Sequence, residues 1–250
     1  MTKPRKPIPN PDPSATEVPG QAAPVPREPE GQPGDVAAIR REIQKFLRMP
    51  GVGGKPIGSS KCGVYAFYDY DGEPIYIGQT FEGLSARIGR HLTNQRTDAV
   101  AMNVLDPFEV AEICVWPLEL SHLPEHERKA ELDRAEYTLY QKVIAESSFK
   151  AVLNEKAPTK TPLIELPQSY RGRIIPADIY PQRKHPDVRI ARRASTIAAL
   201  ARVISERKVT KYLRTTLLTQ ARRLERLAAE RLAEFASTPE ESDEELESKD

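Results

Sequence analysis

Apolar and polar positions alternate in blocks whose periods predict the elements of this chain. Between residues 62 and 78, Val64, Ala66, Phe67, Ile75 and Ile77 supply apolar and β-branched character on both sides of Asp71-Gly72. That dipeptide readily adopts the positive φ angles of a two-residue turn, so a β-hairpin is predicted. Before it, Ile39, Ile43, Phe46 and Leu47 recur at helical spacing over about 36–48, and Met49-Pro50-Gly51 ends the helix. After it, Leu84, Ile88 and Leu92 line one face of a helix over about 85–94. Residues 110–118, VAEICVWPL, read as a third strand ended by Pro117. A long helix is predicted over about 124–147, with Glu125 and Glu127 at the positive end of its dipole and Leu132, Leu139 and Val143 on its apolar side. Two further stretches, about 188–207 and 211–235, carry Ile190, Ile197, Leu200 and Ile204, then Leu213, Leu217, Leu224, Leu227 and Leu232. They read as an antiparallel helical pair.

Composition sets the boundaries between these blocks. Many of the 23 prolines crowd residues 1–34, which hold almost no large apolar side chains and cannot offset the entropy of ordering; this arm is expected to be disordered. Residues 35–60 form the first helix and a glycine-rich loop, 61–156 a central domain, and 157–186 a proline-interrupted linker or extended arm. The helical pair occupies 187–236 and an acidic, disordered tail 237–250. The loop at 51–60 has four glycines and a lysine but lacks the Gly-Lys-Ser/Thr ending of phosphate-binding loops, so an ordinary connection is expected. No apolar run approaches the roughly 18 residues of a membrane span, and no signal-peptide core is visible near the N-terminus. Cys62 and Cys114 fall in predicted strands, where buried thiols are expected, and the expected compartment is the reducing cytoplasm.

Charge is distributed unevenly beneath a net of +1: residues 171–235 hold sixteen Lys plus Arg against six acids, and residues 240–250 hold seven acids and one lysine. On the helical pair, Arg192, Arg193, Arg202, Arg222, Arg223 and Arg226 fall on the polar sides. Such faces serve either as solvated flanks of a homodimer surface or as contacts for nucleic-acid phosphates, and both readings stand.

The hairpin also carries a motif. Tyr65 closes Gly63-Val64-Tyr65, and Tyr76 opens Tyr76-Ile77-Gly78, so that folding back brings the two triplets side by side. This resembles the GIY-YIG nuclease family, with valine in place of the isoleucine of the first triplet. Arg87 with His91 four residues on, Glu136 within ELDRAEYTLYQKV, and Asn154 within VLNEKAP continue the family's ordered set over about 62–156. The resemblance implies an α/β (α+β) core, a small three-stranded antiparallel sheet flanked by helices. It implies a metal-dependent endonuclease that hydrolyses DNA, of the kind found in restriction and mobile-element enzymes. Within that family pattern, Tyr65 would deprotonate or orient the attacking water and Tyr76 would position phosphate or water. Arg87 would grip the scissile phosphate, with His91 relaying a proton. Glu136 would hold Mg²⁺, with Mn²⁺ able to substitute, and Asn154 would complete the site. A phenol of ordinary pKa, about 10, is a weak base at neutral pH, so Tyr65 needs cationic surroundings.

Read from the residues alone, some of these positions have other uses. Glu136 sits between Leu132 and Leu139 on the inner face of its helix, where a carboxylate needs a partner: Arg134, Lys142, Arg87 or a metal. Asn154 also reads as a turn residue. The rival for the whole chain is a noncatalytic nucleic-acid-binding or assembly protein that keeps the nuclease fold.

Overall fold

Cys62–Tyr68 carries no charged residue, and in the computed structural model of the chain it forms a strand, β1, whose seven residues are all buried. The structure describes residues 33–92, 106–154, 157–206, 208–209 and 211–236. The predicted disordered arm, apart from its last residues, and the acidic tail lie outside them. Pro74–Thr80 (β2) and Glu112–Leu118 (β3) pair antiparallel with β1 on either side. A strand buried on both faces needs no alternation, which is why CGVYAFY reads as one apolar run.

Helices cover the two faces of the sheet. On one face, the helix α3 (Glu125–Glu146) sets Leu132, Ala135, Leu139 and Val143 against Val64, Ala66, Tyr68, Ile77, Cys114 and Trp116. On the other, Tyr65, Phe67, Ile113 and Val115 meet Ile39, Ile43, Phe46 and Leu47 of α1 (Pro33–Leu47) and Leu84, Ile88 and Leu92 of α2 (Leu84–Leu92). Both cysteines are buried and free, and burial pushes their thiols up, Cys114 to about 11. They act as small apolar side chains.

The sheet has four strands, not the predicted three, in the order β2-β1-β3-β4. The fourth, Tyr170–Arg173, pairs antiparallel with β3 inside the stretch read as linker or arm. Its sequence, YRGR, shows no apolar alternation because its arginines do the covering: the Arg171 guanidinium lies 3.9 Å from the Tyr68 ring centroid and donates to Glu112 at 2.6 Å. Ile174 and Ile175 then enter the core, and the short helix α4 (Tyr180–Lys184) follows.

The hairpin turn also differs from expectation. The loop is Tyr70-Asp71-Gly72, closed by Asp69 N–H donating to the Glu73 carbonyl and Gly72 N–H to the Asp69 carbonyl. Only Gly72 takes a positive φ (75°), whereas a two-residue turn centred on Asp71-Gly72 needs two. The Asp69 side chain decides this, because its Oδ1 accepts from the backbone N–H groups of Asp71 and Glu73 (2.9 and 3.0 Å) and stabilises the longer loop.

The C-terminal pair forms as predicted, α5 (Pro186–Glu206) and α6 (Lys211–Ala236). Arg231 near the end of α6 pairs with Asp187 at the start of α5, and Arg193 donates to the carbonyl of Arg223, so the two run antiparallel. Leu200, Ile204 and Leu213 belong to the same core as Tyr65 and Phe67. The apolar stripe that offered a homodimer surface is therefore largely occupied within the chain, and the dimer expectation loses its support. Among the described residues, no helix is long and apolar enough to cross a membrane.

Candidate active site

Tyr65 and Arg87 meet because two local devices fix their elements. The loop at 51–60 forms two short 3-10 turns, buries Ile57, and accepts hydrogen bonds from the start of α2: Leu84 N–H to the Ser60 carbonyl (3.1 Å) and Ser85 Oγ to the Gly58 carbonyl (3.0 Å). With Leu84 and Ile88 seated in the core, Arg87 emerges beside them, and its Nε donates to Tyr65 Oη at 3.3 Å. Tyr65 lies opposite Gly78 in the β1–β2 register, and its ring fills the space above that glycine. Tyr76, two residues before Gly78, stacks toward it with ring centroids 6.4 Å apart. Tyr65 is fully enclosed, whereas Tyr76 and Arg87 are partly exposed.

Gly78 is required for this stacking. A methyl at that position would lie 2.5 Å from Tyr65 Cζ, well inside contact distance. Gly78→Ala is expected to cost about 1–3 kcal/mol of stability through overpacking. It should also break the Tyr65–Arg87 hydrogen bond. Denaturant unfolding checks the first effect, and stability within error of wild type would show that the ring relaxes without strain.

Glu136 stands one helical turn from Asp133 on α3, facing β2. The Gln79 amide bridges the two carboxylates, Nε2 donating to Asp133 Oδ1 (2.9 Å) and to Glu136 Oε2 (3.0 Å). Burial raises the Glu136 pKa, the Asp133 charge raises it further, and Gln79 and Arg87 oppose them; the result is about 7. Of the sequence-level partners, Arg134 pairs instead with Glu131 at 2.7 Å, and Lys142 sits over the Trp116 ring.

The raised pKa carries a stability signature. In the unfolded chain the carboxyl titrates near the usual 4.3 or so, so between there and about 7 the folded protein binds more protons than the unfolded one. Stability in chelator is therefore expected to fall as pH rises through this window. Glu136→Gln should flatten that slope; an unchanged profile in the variant would assign it to another group.

Asn154 is buried and does not reach the Tyr65–Arg87 pair. It forms a two-pronged amide contact with the edge strand, accepting from Ile77 N–H (3.1 Å) and donating to the Ile77 carbonyl (2.8 Å), which caps β2 at the middle of the second triplet. His91 belongs to the last turn of α2, and its side chain lies outside the described residues.

The six arginines divide. Arg193 and Arg223, expected on polar faces, are buried: Arg193 pairs with Glu109 and Asp69, each at 3.0 Å, and Arg223 with Asp69 at 2.6 Å. Arg192 is also turned to the protein, pairing with Asp106 at 2.7 Å and lying over the Phe108 ring. These three are structural ion pairs, not free phosphate contacts, because the hairpin tip and the 106–109 turn bring acids under the helices. Arg202, Arg222 and Arg226 remain exposed.

Sequence reasoning missed Gln79 and Asp133. Two signals were available: Asp133 is three residues before Glu136 and so shares its helix face, and Gln79 follows the second triplet with its side chain on the Ile77 side of the sheet.

A small antiparallel sheet between helices thus carries the Tyr65–Arg87 pair and, on the α3 side of β2, the Gln79–Asp133–Glu136 cluster. Residues 61–147 match the family model described as the GIY-YIG catalytic domain, and over that stretch the resemblance carried by the two triplets is borne out. No curated protein and no solved structure gave a significant match. Asn154 and the helices α5 and α6 lie beyond the matched residues.

Proposed function

We propose that the chain is a metal-dependent endonuclease that hydrolyses DNA phosphodiester bonds at the Tyr65, Tyr76, Arg87 and Glu136 site. The observation that carries this reading is the meeting of Arg87 with Tyr65 inside the stretch that matches the GIY-YIG catalytic domain, a stretch that also holds Glu136. The donor set near Glu136 is all oxygen, with a second carboxylate beside it and the Gln79 Oε1 buried without a hydrogen-bond partner, which suits a hard cation such as Mg²⁺. Glu136 would hold that cation, whose contribution is to draw charge from the phosphate and the departing 3′ oxygen.

The chain's own residues do the rest. Arg87 offers a planar fork for the scissile phosphate, a geometry lysine lacks. Its Nε covers the Tyr65 hydroxyl, and a phosphate that engages the fork draws it off, opening Tyr65 to the attacking water. Tyr76, the more exposed of the pair, orients phosphate or water at the entrance. Arg202, Arg222 and Arg226 supply phosphate contacts away from the chemistry, although Arg202 and Arg226 share their charge with Glu206 and Glu230.

The test is cleavage of supercoiled plasmid with Mg²⁺, Mn²⁺ or chelator. Nicked or linear product that appears with metal and disappears with chelator is expected. No product with either ion, together with retained DNA binding, would favour a binding protein built on the nuclease fold.

A further inference from the structure

We propose that Gln79 is the positioning residue of this site, holding Glu136 in place and drawing Asp133 in as a second acidic group toward the same cation. This rests on reading the site as metal-dependent. Three observations support it. One amide nitrogen donates to both carboxylates, Asp133 Oδ1 at 2.9 Å and Glu136 Oε2 at 3.0 Å, so the two acids are tied to a common point. The other end of that amide, Oε1, is buried and makes no hydrogen bond. And Asp133 and Glu136 are three residues apart on α3, so the two acids share one helix face with only an amide between them.

Two carboxyl groups around one neutral donor are under-neutralised, and a divalent cation answers that need better than an amide. The Gln79 side chain can accommodate the exchange, because half a turn of its terminal torsion swaps Nε2 for Oε1 and presents an oxygen where a donor stood. Turning gives up the two Nε2 hydrogen bonds, which the cation replaces, and brings the unpartnered Oε1 to a partner. In one orientation Gln79 keeps the carboxylates from splaying apart, and in the other it adds a third oxygen to theirs. Gln79 is held over α3 by the same pleat that buries Ile77.

The experiment is calorimetric titration of Mn²⁺ into the full chain, alone and with a phosphorothioate duplex that resists cleavage, for wild type, Gln79→Leu, Asp133→Asn and Glu136→Gln. Leucine keeps the bulk of residue 79 without its amide, and a thermal melt checks that each variant folds. Loss of a group that orients a metal ligand typically costs 10- to 100-fold in affinity, and a weakening of about that size is expected in Gln79→Leu and in Asp133→Asn. In steady-state cleavage both should lower kcat with little change in KM for DNA. Wild-type Mn²⁺ affinity in either variant, beside a clear loss in Glu136→Gln, would overturn the inference and leave the metal site standing. Unchanged affinity in all three variants, or no binding by wild type even with duplex, would overturn both.

Discussion

In Glu136→Gln, metal-dependent plasmid cleavage is expected to fall by at least about a hundredfold, since removing one preorganised charge from a reacting centre costs about 10²–10³ in rate. Duplex binding, measured by gel shift in chelator, should stay near wild type or tighten slightly. The reason lies in the site's geometry. The glutamine is nearly isosteric, so α3 keeps its packing through Leu132, Ala135, Leu139 and Val143. What changes is charge: a carboxylate that feels both Asp133 and Arg87 becomes a neutral amide. Removing a negative group from a surface that meets phosphate cannot weaken attraction to DNA. A joint loss of binding and cleavage would mean instead that the substitution disturbs the fold. Cleavage at wild-type rate would show that Glu136 is not the metal ligand and turn attention to Asp133.

Most of what the sequence made legible is local. The triplets, the spacing of Arg87 from Leu84 and Ile88, and the stripe of Leu132, Leu139 and Val143 each lie within one element or one hairpin, where period alone decides which side chains share a face. The Tyr65–Arg87 contact follows once those elements are packed, because it spans only 22 residues. Gln79 was missed for the opposite reason: its partners on α3 are 54 and 57 residues away, and its place on the Ile77 side of the sheet does not say which helix residues it meets. The fourth strand was hidden by composition, since YRGR offers guanidinium groups where a strand reading looks for β-branched side chains.

Arg193 of α5 and Arg223 of α6 failed as surface residues because a helical wheel assigns charge to solvent by default. Arg193 and Arg223 find acids 84 to 154 residues distant, at Glu109 and Asp69, which no spacing rule connects. Binary patterning gave the helices correctly and their orientation on the sheet incompletely. The cost of burying a guanidinium is offset only by anions that the hairpin tip and the 106–109 turn deliver.

The hairpin tip is therefore where the largest stability effect is expected. Asp69→Ala should lower the unfolding free energy by about 3–5 kcal/mol, the usual result of removing one partner from a buried ion pair. Asp69 is 3% exposed and serves two structures at once. Its Oδ1 holds the turn through Asp71 and Glu73 N–H, and its Oδ2 receives Arg193 at 3.0 Å, Arg223 at 2.6 Å and Arg189 at 3.5 Å. Without the carboxylate three buried guanidinium groups face only Glu109 and the half-exposed Asp71, and Arg223 already has Nε and Nη1 unpaired. Asp69→Asn separates the two functions, since its Oδ1 still accepts from the turn while its amide brings a donor to the arginines. It should therefore lose nearly as much stability as the alanine variant if the ion pairs dominate, and much less if the turn does. Guanidinium unfolding of both variants reads the difference. A loss below about 1 kcal/mol in Asp69→Ala, the range of an exposed pair, would show that the arginines find water or other acids and that the network does not fasten α5 and α6 to the sheet.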